Sequence, residues 1–151
     1  MKKIASGDGW FDIEMTADER EVILHGLNFI LKHYDALDDL ETPLPSFIKK
    51  DIRVLKKGSK SVEGNFVIHY TMSPYISTSV ALWSLLATID ANQIDVAKLD
   101  PMLEVEKMRA AKKALNEALP IHERTADLYP RNEHKFLTKN FLERDHGKEA
   151  P

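Results

Sequence analysis

A long stretch without formal charge constrains this chain more than any other feature. It runs from Phe66 to Ile89, and its 24 consecutive positions contain no Asp, Glu, Lys or Arg. A membrane-spanning helix needs about 20 mostly apolar residues. Histidine, proline, serine and threonine interrupt this stretch, and its most apolar part, Val80–Ile89, is only ten residues long. We therefore expect it to form the buried centre of a folded domain and not a transmembrane segment.

Composition favours one compact domain. The chain has 151 residues, of which 43% are hydrophobic and 30% charged, as in an ordinary globular domain. It has no cysteine, which excludes disulfides, thiolate catalysis and cysteine-bound metals. No apolar segment follows the basic N-terminus, so we expect no signal peptide and a cytoplasmic location. The expected organisation is a single globular domain at 1–144 with a flexible C-terminal tail at 145–151.

Hydrophobic periodicity predicts a mainly helical α+β fold, with about five to six helices around a small two- to three-stranded sheet. Alternation over Trp10–Met15 predicts a strand, and the following Thr16-Ala17-Asp18-Glu19 is a capping box that begins a helix. The predicted elements are strands at 10–15 and 65–71 and helices at 16–34, 45–57, 77–89, 101–119, 121–128 and 133–144. We expect strand 65–71 to be buried on both faces. For 52–57, a strand with a hairpin through Gly58-Ser59 is the alternative to helix.

Positive charge is concentrated in one segment. The net charge of the chain is −3, yet residues 49–60 contain six basic side chains and one acidic one. At about 3.6 residues per turn, Lys49, Arg53 and Lys56 fall within about 60° of one another on a helix, and Lys60 joins them if the helix is longer. We name the following set the basic surface: Lys49, Lys50, Arg53, Lys56, Lys57 and Lys60. Such a surface can bind an acidic protein, phosphates or an anionic membrane. The simpler interpretation is a solvated helix face, paired with the acidic first 48 residues of the same chain.

Three residues are weak candidates for catalysis. His69 lies beside Tyr70 inside the uncharged stretch, where burial would suit it to general base catalysis; the alternative is a neutral histidine in the core. His122 and Glu123 match the start of the zinc-protease motif, but its second histidine would have to be at position 126, which is Ala126. A surface ion pair is the alternative for these two residues.

No spacing typical of a metal or cofactor site occurs in the sequence. The best metal candidates are Glu21 with His25, near Asp18, and a cluster in sequence at the end of the first helix and in the turn after it, formed by His33, Asp35, Asp38 and Asp39. Neither set matches a known ligand pattern, so we expect neither a metal nor a cofactor. The hydroxyl residues at 77–79 are expected to cap the start of a helix, where free N–H groups could also hold an anion.

These observations favour a small non-enzymatic binding or regulatory protein that acts through protein–protein contacts. Its candidate faces are the basic surface and the acidic N-terminal third, which contains Asp8, Asp12, Glu14 and Asp18. One alternative is nucleic-acid contact through the basic helix at 49–60. Another is a small enzyme that uses His69 or His122.

Two further expectations concern the class of protein and its assembly. Phage-encoded inhibitors of host machinery are often small proteins without recognisable motifs, although no residue of this chain points to them. Large aromatic side chains fill either the core or the interface of a homodimer. The residues concerned are Trp10, Trp83, Phe136 and Phe141.

Overall fold

The computed structural model describes residues 1–37 and 42–119. Within those ranges the chain forms four strands and five α-helices around one hydrophobic core, which confirms the mainly helical α+β class and the single compact domain. In chain order the elements are β1 (Lys2–Gly7), β2 (Trp10–Met15), α1 (Ala17–Lys32), α2 (Pro45–Lys56), β3 (Ser59–Lys60), β4 (Phe66–Thr71), α3 (Met72–Asp90), α4 (Val96–Leu99) and α5 (Val105–Glu117). The helices predicted at 121–128 and 133–144 and the tail predicted at 145–151 lie outside the described residues.

The strands in this part of the chain form an antiparallel sheet in the order β1-β2-β4-β3. The two predicted strands, β2 and β4, are its centre, in a register that pairs Ile13 with Ile68. The sequence pattern does not predict the edge strands. In β1 the one large apolar residue, Ile4, stands at a shift of register and is 46% exposed, and β3 is only two residues long.

The sheet is buried on one face only. Phe11, Ile13 and Met15 of β2 and Ile68 and Tyr70 of β4 are buried in the core that the helices share. On the other face β2 and β4 carry residues that are exposed or half-buried, and we name it the open sheet face: Trp10, Asp12, Glu14, Val67, His69 and Thr71. The prediction that strand 65–71 is buried on both faces is therefore wrong.

The central helix α3 begins earlier than the sequence predicts. It follows β4 directly at Met72 and not at Ser77, because Pro74 stands in its first turn, where the missing N–H costs no intrahelical hydrogen bond. Ser77 and Thr78 consequently lie buried inside the helix. The helix start that was expected to bind an anion at 77–79 is therefore not there.

Helix α3 contains most of the uncharged stretch that was expected to be buried in the fold and not to span a membrane. Among the described residues, α3 is the helix long and apolar enough to cross a bilayer, but 61% of its most apolar window is buried inside the fold. Burial of that kind is typical of a core helix. The described part of the chain thus contains no clear transmembrane span.

The helix predicted from Pro101 begins later, at Val105 in α5. Asp100, directly before Pro101, is a residue type that commonly caps a helix start, and its carboxylate has two partners. Oδ2 of Asp100 accepts a hydrogen bond from Nε2 of His25 at 2.7 Å, and Oδ1 accepts one from the backbone N–H of Met102 at 3.1 Å. The segment before α5 is therefore attached to α1 through Asp100, and the bond from Met102 closes a turn at 101–102 that does not continue as a helix.

The capping box at the start of α1 gives a test of the local structure. Thr16 Oγ1 accepts from the N–H of Glu19 at 3.0 Å, and Glu19 Oε1 accepts from the N–H of Thr16 at 2.9 Å. Thr16→Ala removes the first bond, so we expect the free energy of unfolding to fall by about 1 kcal/mol, measured by urea denaturation. Ser46→Ala, on the exposed side of α2, is the control. An equal loss in both variants would contradict the role of Thr16.

Candidate functional site

The helix that carries the basic surface forms as predicted, with one correction. Residues 52–56 are helical, so the strand alternative is wrong. The helix ends at Lys56, Lys57 follows it as the C-cap, and Lys60 lies on β3 instead of extending the helical row. All six cations of the basic surface are exposed.

Among residues 1–37 and 42–119, no cation of the basic surface forms an ion pair. The acidic side chains of the N-terminal third make their close contacts elsewhere in the fold. The ion pairs are Asp12 with His69, Glu14 with Lys2, Asp18 with Lys107 and Glu21 with Arg20. The described acids of the first 48 residues therefore form no ion pair with the basic surface, although Lys56 lines a pocket together with Asp18 and Glu21 of α1.

Helix α2 is held in place from two sides. Arg20 of α1 donates from Nε to the carbonyl of Leu55 at 2.9 Å, and its guanidinium lies 4.3 Å from the centroid of the Phe66 ring. On the opposite side, Ser77 Oγ of α3 donates to Asp51 Oδ2 at 2.5 Å. The cations thus project from a helix whose position both neighbours fix.

Asp51 is a buried carboxyl group directly beneath the basic surface, with 1% of the residue exposed. Burial raises the pKa of Asp51 well above its ordinary value, although the hydrogen bond from Ser77 and the positive charge of Lys50 act in the opposite direction. Burial, and then the proximity of Asp51, also raises the pKa of the Tyr70 hydroxyl. Sequence analysis missed Asp51, yet a signal was present, because at about 100° per residue it falls within the apolar arc of α2.

His69 lies on the open sheet face and not in the core. Its side chain is 64% exposed, its Nδ1 donates to Asp12 Oδ1 at 2.6 Å, and its ring centroid lies 5.3 Å from that of Trp10. Both interpretations made from the sequence, a desolvated base and a neutral core histidine, are wrong because each assumed a buried strand. The Asp12 carboxylate orients the imidazole so that Nε2 faces away from it.

The candidate metal ligands do not assemble in the described residues. His25 donates to Asp100, and this hydrogen bond lowers the pKa of the Asp100 carboxyl. Across 1–37 and 42–119, no group of three or more His, Asp or Glu side chains is placed to hold a metal ion. Four of the candidate residues lie outside the described ranges: Asp38, Asp39, His122 and Glu123.

Trp83 is a second residue whose surroundings the sequence did not reveal. From the sequence Trp83 was expected either in the core or in the interface of a homodimer, and 47% of the residue is exposed. At about 100° per residue Trp83 lies well away from Leu82 and Leu85, which are fully buried. An exposed tryptophan of this kind is typical of a binding surface.

The comparisons with known proteins identify no family. No protein-family model, no curated protein and no solved structure matches this chain. The function has to be argued from the arrangement of its own residues, among which the basic surface is the most regular polar feature.

Asp51 makes the stability of the fold depend on pH. Because folding raises its pKa, the folded protein keeps a proton that the unfolded chain releases. The free energy of unfolding therefore falls as the pH rises from the ordinary carboxyl value of about 4 through the raised value. Asp51→Asn has no proton to release, so we expect its free energy of unfolding not to fall over this pH range. At the alkaline end of the range the variant should be more stable than the wild-type protein. Urea denaturation over a pH series measures the free energy of unfolding of the wild-type protein and of the variant.

Glu63→Gln is the control for this experiment, because it removes one exposed carboxyl group of the β3–β4 turn. An Asp51→Asn variant that keeps the pH dependence of the wild-type protein would contradict the assignment.

The position of His69 gives a separate prediction. Since exposed ion pairs contribute little, we expect His69→Ala to lower the free energy of unfolding by less than about 1 kcal/mol. Its neighbour Ile68 is 0% exposed, and Ile68→Ala should cost about 2–5 kcal/mol through the cavity it leaves. Similar losses for the two variants, measured by urea denaturation, would show that His69 belongs to the core.

Proposed function

We propose that this protein is a small binding protein, regulatory in role, whose basic surface docks onto an acidic surface of a protein partner. The observation that supports the proposal is the set of six exposed cations, none of which forms an ion pair within the described residues. Like charges one turn apart on a helix repel each other. A complementary surface would turn this repulsion into attraction.

Helix stability alone does not account for the position of these cations. Arg53 and Lys56 lie in the last turn of α2, where the helix dipole favours positive charge. Lys49 and Lys50 lie in the N-terminal half, where the dipole does not favour them. From Lys49 to Lys56 the row extends about 10 Å along the helix axis, which is long enough to face several carboxylates of a partner.

A protein partner agrees with the overall charge of the chain better than nucleic acid does. The net charge is −3, whereas nucleic-acid-binding domains are usually basic. Segregated charge of this kind steers two proteins towards each other and fixes their orientation. Nucleic-acid contact is the second candidate, because the same exposed cations are suited to phosphates.

The proposal is tested by affinity capture with the tagged full-length chain in a lysate of the cells that produce it. Lys49→Glu combined with Arg53→Glu reverses two central charges of the basic surface. We expect the apparent Kd for the captured partner to rise roughly tenfold or more. Capture by the wild-type protein should weaken as salt is added, because the surface charges are screened.

The matched control is Lys32→Glu combined with Lys98→Glu, which makes the same change of charge at exposed lysines of α1 and α4. This variant should capture the partner as the wild-type protein does, and circular dichroism should show that both double variants are folded. Equal capture by all three proteins would remove the proposal. Material that nuclease treatment releases would support the second candidate instead.

A further inference from the structure

The basic surface belongs to a larger outer layer that α2 forms with α3. Ser77 of α3 donates to Asp51 of α2 at 2.5 Å, and Ser84 shares a hydrogen bond of 2.6 Å with Thr42, just before α2. Thr42 lies before Asp51 in the chain, but its partner Ser84 lies after Ser77, the partner of Asp51. The two helices therefore run antiparallel, and the start of α2 lies level with the middle of α3.

Helix α5 lies along another side of α3. Ser79 donates from Oγ to Asn116 Oδ1 at 2.5 Å, and Arg109 makes two hydrogen bonds to the Asp90 carboxylate at 2.9 and 3.0 Å. Ser79 lies before Asp90 in the chain, but its partner Asn116 lies after Arg109, the partner of Asp90. This pair of helices is therefore also antiparallel, and α3 lies between α2 and α5.

An apolar strip of α3 faces outwards between these two lines of contacts. It consists of Val80, Trp83 and Ala87, and Trp83 is 47% exposed while the other two are half-buried. At about 100° per residue the three lie on the side of α3 opposite Leu82 and Leu85. We name these three residues the α3 strip.

Cations stand on both sides of the α3 strip. On the α2 side Lys50 is exposed beside Asp51, which bonds to α3, and on the α5 side Lys113 is exposed while Lys112 is half-buried. Burial, and the positive charge of Arg109, lower the pKa of Lys112. A carboxylate placed near Lys112 would therefore relieve an unfavourable environment.

Acidic groups do little to offset these cations. The carboxyl groups of α2, α3 and α5 are those of Asp51, Asp90, Glu106 and Glu117. Asp51 is buried, and Asp90 and Glu106 both pair with Arg109. Glu117 remains, exposed at the end of α5. The outer layer is thus an apolar strip bordered by positive charge on two sides.

We propose that the α3 strip, with the cations on either side, is the docking site for an amphipathic helix of the partner protein that carries Asp and Glu along both borders of its apolar face. This inference rests on the proposed function and specifies which element of the partner binds. Charge complementarity selects the occupant, because an apolar strip with Lys50 on one side and Lys112 and Lys113 on the other matches an apolar stripe with carboxylates on both sides. Trp83 is the anchor, since a central exposed tryptophan supplies a large apolar area to such a contact.

The first test compares apolar truncations in the capture experiment. Trp83→Ala should raise the apparent Kd for the partner roughly tenfold or more. Met102→Ala is the matched control, because Met102 is 76% exposed and lies outside the three helices of the outer layer; it should bind as the wild-type protein does. Circular dichroism should show that both variants are folded, and urea denaturation should show the larger loss of stability for Trp83→Ala, because about half of the tryptophan is packed against its neighbours.

The second test identifies what touches Trp83. Trp83→p-benzoylphenylalanine places a photocrosslinking group in the full-length chain, and mass spectrometry identifies the segment that becomes attached in the lysate. The inference expects a segment of another protein with apolar residues at helical spacing and Asp or Glu beside them. The crosslink should also disappear when Lys49→Glu and Arg53→Glu are added.

The outcomes separate the inference from the proposed function. If the charge-reversal variant loses the partner while Trp83→Ala keeps it, the inference is wrong and the proposed function stands; if neither variant loses it, both are wrong. Attachment to nucleic acid, to a second copy of this chain or to residues 120–151 of the same chain overturns the inference. So does attachment to a partner segment without flanking acidic residues.

Discussion

The burial of α3 is the constraint on which the other contacts depend. Before Asp90 this helix carries no formal charge, and it combines large apolar side chains with hydroxyl groups. Apolar side chains need to be covered, and buried hydroxyls need partners, because an unpaired polar group in the core is costly. Thr78 and Thr88 solve this locally by donating to carbonyls one turn earlier in the helix. Ser77 instead bonds to Asp51, and this directional contact determines where α2, and with it the basic surface, is placed.

How much of the fold could be predicted depends on whether the deciding forces are local. The capping box at Thr16 and the row of cations on α2 are local patterns, and both form as predicted. The start of α5 is different, because Asp100 begins a turn that His25, distant in sequence, attaches to α1, and the helix begins only at Val105. We expected His69 in the core because its strand is apolar on both sides. The packing of the helices, and not the strand itself, determines whether one or both faces of a sheet are covered.

The same distinction applies to the candidate site. The residue types and spacing of the basic surface could be predicted from the sequence. That its cations form no ion pair within the described residues could not, because ion pairs join residues far apart in the chain. Trp83 shows the limit most clearly. A tryptophan in an uncharged helix is equally consistent with burial and exposure, and only the positions of α2 and α5 on either side of α3 leave it 47% exposed. Asp51 is the opposite case, since its place in the apolar arc already indicated an unusual carboxyl group.

The direct junction between β4 and α3 has a mechanical consequence. Thr71 ends the strand and Met72 begins the helix, so no loop stands between the sheet and the helical layer. A loop would absorb a displacement of the helix as bending, whereas here the displacement reaches the backbone of β4 as a pull along the strand. That strand is held by a continuous ladder to β2, and hydrogen bonds in a ladder resist such shear together and not one at a time. Force applied to α3 is therefore borne by the sheet as a unit, and the first turn of the helix and the end of β4 should open and close in concert.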